Sequence, residues 1–145
     1  MRTWPVPFVW LICAVAVGLV AYWGGQDKQG VFSAELLGTN FGVLLFFVGP
    51  YLVLSAAALV GKSHERLSFA VLAATAVLAA IGVWAHWIDH DLYLRMPPGQ
   101  EVQPMAGFLA TLLLWLGSGA VLLAVSVGVA VVRRKAAAAE RAARD

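Results

Sequence analysis

Four stretches of this chain contain no Asp, Glu, Lys or Arg: residues 4–23, 36–61, 67–88 and 102–132, each of them 20 residues or longer. About 20 apolar residues of helix cross the ~30 Å hydrocarbon core of a bilayer. Lipid offers no partner to a backbone N–H or C=O, so a run of this kind is a helix unless it closes into a barrel. Continuous apolarity, without alternation at every second residue, excludes the barrel. The wider composition agrees. Hydrophobic residues make up 61% of the chain and charged ones 12%, with mean hydropathy +0.83, against roughly half and a quarter in soluble domains. The expected fold is therefore all-α: an integral membrane bundle of four transmembrane helices, running up-down-up-down.

Helix signals set the expected boundaries. Residues 1–132 form the transmembrane domain, with helices over about 7–23, 36–60, 67–88 and 104–132, and residues 133–145 form a basic, alanine-rich cytoplasmic tail that continues the last helix. Gly24 and Gly25 mark the end of the first helix, which is longer than the apolar core of a secretion signal and lacks a small-x-small cleavage site after it. Ser33 and Ser63 are candidate N-caps, and Gln103 and Pro104 occupy the cap and first position of the last helix. Pro50 lies in mid-run and cannot donate to the carbonyl of Phe46, which predicts a kink, read first as a packing kink with a gating hinge as the alternative. "AVLAATAVLAA" and "LGSGA" carry small residues that let helix backbones approach closely.

Charge sets the expected orientation. Eight of the ten basic residues fall on one side: Arg2, Lys62, Arg66, Arg133, Arg134, Lys135, Arg141 and Arg144; only Lys28 and Arg95 fall on the other. Positive charge near helix ends stays in the cytoplasm, so both termini are expected inside. Five acidic residues lean outward, and Tyr22, Trp23, Trp84, Trp87 and Tyr93 gather at the outer interface, where amphipathic rings anchor. Arg133, Arg134 and Lys135 form a stop-transfer flank against anionic headgroups.

Chemistry-bearing residues are few. Cys13 is the only cysteine and reads as a small buried hydrophobe. Ser, Thr and Asn within the runs are expected to bond their own helix or a neighbour. The polar cluster is "WAHWIDHDLYLR", residues 84–95. His86 and His90 stand four apart on one helical face with Asp89 beside them, so the three are a candidate divalent-metal site. A zinc-protease helix needs glutamate after the first histidine, and Trp87 stands there. His86 lies ~28 Å along a helix from Leu67, at the outer edge of the core, where a polar helix end accounts for it; the metal pair and a proton-linked role are the functional alternatives.

Topology alone is similar to several four-span groups, and each lacks its chemistry here. Claudin-type proteins carry a tryptophan motif and paired cysteines in the first outer loop; "GGQDKQGVFSAE" has neither. Quinone-coupled disulfide oxidases need cysteine pairs, and small multidrug exporters need a glutamate within the first helix. The composition resembles that of short, Ala/Leu/Val-rich proteins of bacterial inner membranes. The expected role is a non-catalytic accessory, assembly or structural subunit of a membrane complex, with no catalytic residue and no cofactor beyond the candidate metal. Its partners would be the bilayer and other membrane subunits or further copies of itself, not nucleic acid. The alternative is a small oligomeric transporter, channel or sensor using the outer His/Asp cluster.

Overall fold

The computed structural model describes residues 5–26, 41–97 and 105–144. Among them the chain is all-helical, with four helices and no strand: α1 (Pro5–Gln26), α2 (Phe41–Gly61), α3 (Glu65–Arg95) and α4 (Met105–Ala142). Three of these carry stretches long and apolar enough to cross a membrane: Pro5–Trp23, Glu65–Arg95 and Met105–Ala142, while the apolar part of α2, Leu45–Gly61, is shorter. Only 28% of each long stretch's most apolar window is buried. The remainder faces outward, as Leu116 (72% exposed) and Leu123 (67%) do. Helices apolar all round, with leucines on the outside, suit a lipid solvent and not water.

A short turn makes α2 and α3 an antiparallel hairpin. Leu67 near the start of α3 packs on Gly128 late in α4, and Asp89 late in α3 meets Gly107 at the start of α4, so this pair is antiparallel too. Trp23 at the end of α1 stacks on His90, which makes α1 and α3 parallel. The packing does not follow chain order. α1 packs chiefly on α3, and α2 chiefly on α4, whereas the hairpin neighbours α2 and α3 touch less. The core runs through all four helices: Val9 and Cys13 from α1, Leu54 from α2, Val71 and Ala79 from α3, Leu114 from α4.

Small residues let α4 close on its neighbours. A side chain at Gly117 would meet Leu78, and one at Gly61 would meet Val125. Within "LGSGA" only half the face is used: Ser118 is fully buried beside Gly117, while Gly119 faces open space. The alanine-rich α3 touches all three other helices, as expected of a central helix, but α2 does so as well.

Pro50 has a specific accommodation. Its ring removes the N–H that would have bonded the Phe46 carbonyl, and the indole Nε1–H of Trp115 donates to that carbonyl at 2.9 Å. Gly49 makes room for the donor, since any side chain there would collide with the Trp115 ring. The proline position is thus tied to α4 through one directional bond.

Several boundaries differ from the sequence-based expectation. α1 starts at Pro5 and runs through Gly24 and Gly25 to Gln26. Prolines are tolerated in a first turn, where their missing N–H would have no helical partner, and glycine permits a stop without forcing one. α3 continues seven residues beyond Ile88, to Arg95. Nothing in 89–95 breaks a helix, and Arg95 pairs with Asp91 one turn back at 2.9 Å. The stop comes at Met96, which precedes Pro97 and is extended (φ −78°, ψ 144°). At the other end of α3 the N-cap is His64, without a side-chain bond, and not Ser63. Ser68 ties the turn instead, donating its hydroxyl to the Gly61 carbonyl at 2.9 Å. The α4 helix continues through the tail to Ala142, as expected. The expected caps Ser33, Gln103 and Pro104 lie outside the described residues.

Candidate functional site

The polar cluster sits where the C-terminal part of α3 meets the N-terminus of α4. The first amides of a helix have no intrahelical acceptor. Asp89 supplies one from the neighbouring helix: Oδ2 accepts the Gly107 N–H at 2.6 Å and Oδ1 accepts the Ala106 N–H at 3.2 Å. The carboxylate, 9% exposed, therefore caps α4 at the end where the helix dipole favours negative charge. Gly107 is required by the close approach. A Cβ there would stand 2.9 Å from Asp89 Oδ2, 3.0 Å from His86 Cδ2 and 3.1 Å from His86 Nε2.

His86 lies one turn before Asp89. The Gly82 carbonyl, 2.7 Å from Nδ1, can only accept, so Nδ1 carries the proton. Nε2 is buried and has no hydrogen-bond partner among the described residues. Its ring edge meets Phe47 of α2, with centroids 5.6 Å apart. Because His86 Nε2 and Asp89 Oδ2 both lie about 3 Å from the same point above Gly107, they stand within about 6 Å of one another.

His90, also 9% exposed, turns to α1 and stacks on Trp23 at 6.4 Å with 24° between the rings. The three predicted site residues thus share one end of the bundle: His86 and Asp89 converge on Gly107 of α4, His86 also meeting Phe47 of α2, while His90 turns to Trp23 of α1. Among the described residues, no group of three His, Cys, Asp or Glu side chains could hold a metal ion.

Deeper in the bundle the polar side chains behave largely as helix residues in lipid should. Ser55, Thr111, Ser118 and Ser126 each donate to a carbonyl three or four residues back. Tyr51 and Thr75 are the exceptions. Both hydroxyls are buried without a partner among the described residues, and the Tyr51 hydroxyl presses on α3 where Gly82 leaves room, 2.5 Å from the position a Cβ would take.

Sequence reasoning did not single out Gly82, Gly107 or Trp115. A signal existed for the last: Pro50 orphans a carbonyl in a medium without water, which demands a donor, and Trp115 carries the only ring N–H in the run 102–132. No protein-family model, curated protein or solved structure matches the chain.

Proposed function

We propose that this is a multi-pass inner-membrane protein whose four helices all cross the bilayer, with both termini cytoplasmic, and that it serves as a non-catalytic accessory, assembly or structural subunit of a membrane complex. Support for the orientation is the placement of eight of ten basic residues on one side. Support for the role rests on one observation above the others: Asp89, the one buried carboxylate among the described residues, uses both oxygens to hold α4 in register with α3. A titratable group inside a membrane bundle is a functional candidate by default. Here its bonds are those of a structural tie.

The test is purification from the native membrane in mild detergent, followed by native gels and mass spectrometry of what co-migrates. A defined, stoichiometric complex with other membrane proteins is the expected outcome. A chain that migrates alone, or only with copies of itself, would overturn the subunit reading.

A second reading has its own observation. The buried Nε2 of His86, without a hydrogen-bond partner among the described residues and close to Asp89, suits a proton-linked transporter or sensor. Proteoliposomes under a pH gradient would then show a proton flux that His86→Ala removes, and silent liposomes would end that reading.

A further inference from the structure

α1 and α3 pack as parallel partners, yet a groove of about 430 Å³ runs along their seam. Its floor is alanine: Ala16 of α1 and Ala79 of α3 are 2% and 4% exposed. Its lips are Leu11 and Val15 on one side and Ala76 and Ala80 on the other, all four exposed. Every side chain that lines it is apolar. The three alanines of the α3 wall make the groove, because leucines at those positions would fill it.

Depth separates the possible occupants. Trp87 stands one turn beyond Val83, the last lining residue of α3, and is 46% exposed, as a ring anchored at a membrane interface should be. Measured along α3 from Trp87, the groove begins ~6 Å in and ends at Ala76, ~17 Å in. Half of a ~30 Å hydrocarbon core is ~15 Å. The groove thus occupies the Trp87 half of the core and stops near its middle. Further along the same two helix faces stand Phe8 and Phe69, 49% and 38% exposed, and they do not line it. A partner helix crosses the whole core and would ride on those rings, since it needs a seam of ~30 Å. An acyl chain of the leaflet on the Trp87 side needs only the half that is there.

We propose that this groove binds one acyl chain of a phospholipid from that leaflet. The alanine floor lets the chain lie against two helices at once, with dispersion contacts on three sides that do not move away. The indole of Trp87 sits at the level of the ester carbonyls, to which its N–H can donate. The inference rests on α1 and α3 crossing a bilayer, and not on the subunit reading.

The test is native mass spectrometry of the full chain in mild detergent, with dioleoyl phosphatidylglycerol as the probe. Wild type should retain a phospholipid after detergent dilution, and its unfolding midpoint should rise saturably as the probe is added. Ala80→Phe fills the groove from its exposed lip. It should hold the lipid about tenfold more weakly, from an unchanged midpoint without lipid, and Ala76→Phe should do the same from the deeper end. Ala120→Phe places the same bulk on an exposed alanine of α4 and should behave as wild type. No retained lipid in wild type, or equal retention by all four proteins, would overturn the site. So would disulfide cross-linking of Ala80→Cys to a second copy in the native membrane, because the groove would then be covered by a helix.

Discussion

The two ends of α4 are served in opposite ways. At Met105 the helix begins against α3, and a buried carboxylate answers its exposed amides. At Ala142 it ends exposed, with no described residue packed beside it. The first end uses polar chemistry to fix one helix against another. The second carries its charges on exposed residues. A charged residue in a small membrane protein is therefore informative only together with its partner: Asp89 holds α4, while Arg141 and Arg144 stand exposed.

The largest effect should come from breaking the tied end. Asp89→Ala leaves two helix amides without an acceptor and should cost about 3 kcal/mol of stability in detergent unfolding. A variant within ~0.5 kcal/mol of wild type would mean the carboxylate is not a structural tie. Next comes the Tyr51–Gly82 contact. Gly82→Ala should cost about 2 kcal/mol by overpacking, and Tyr51→Phe should relieve only the hydroxyl's share, since Leu114 Cδ1 also stands 2.7 Å from the added Cβ. Alone, Tyr51→Phe should be neutral or stabilising, since it removes a hydroxyl without a partner among the described residues; a clear loss would reveal a bond partner for it.

Trp115→Phe should cost about 1 kcal/mol by orphaning the Phe46 carbonyl beside Pro50. In a Pro50→Ala background, which restores the backbone donor, the same change should cost less. An unchanged cost there would assign the effect to ring packing. Smallest of all, Arg141→Gln with Arg144→Gln should move stability by less than ~0.5 kcal/mol, because the free end supports nothing. A larger loss would make the tail part of the fold and erase the contrast.

Run length and charge spacing made the helices legible. Hydrophobic runs predicted four of them, alanine's helix propensity predicted the continuation of the last into the tail, and a lone cysteine within a run predicted Cys13 as a core residue. Helix ends were less legible. Gly24 and Gly25 did not stop α1, and the polar stretch 89–95 stayed helical, because polarity beyond a membrane boundary says nothing against hydrogen bonding along the backbone. The His/Asp cluster was visible as a cluster, but not which helices its members meet. His86 and His90 share a face in projection, yet one meets Phe47 and the other Trp23, a distinction set by neighbouring helices.

What the sequence determined by itself was the solvent and the secondary structure, since an uncharged run of 20 residues or more has to satisfy its own backbone in lipid. What only the tertiary structure decided was which helices pair and what the polar residues are for. The parallel pairs are α1 with α3 and α2 with α4, and in the second of them Gly49 and Gly61 let Trp115 and Val125 come close. Asp89 and Trp115 became ties because an orphaned amide and an orphaned carbonyl on other helices came within ~3 Å of them. Those are distances between residues far apart in the chain, and no local pattern carries them.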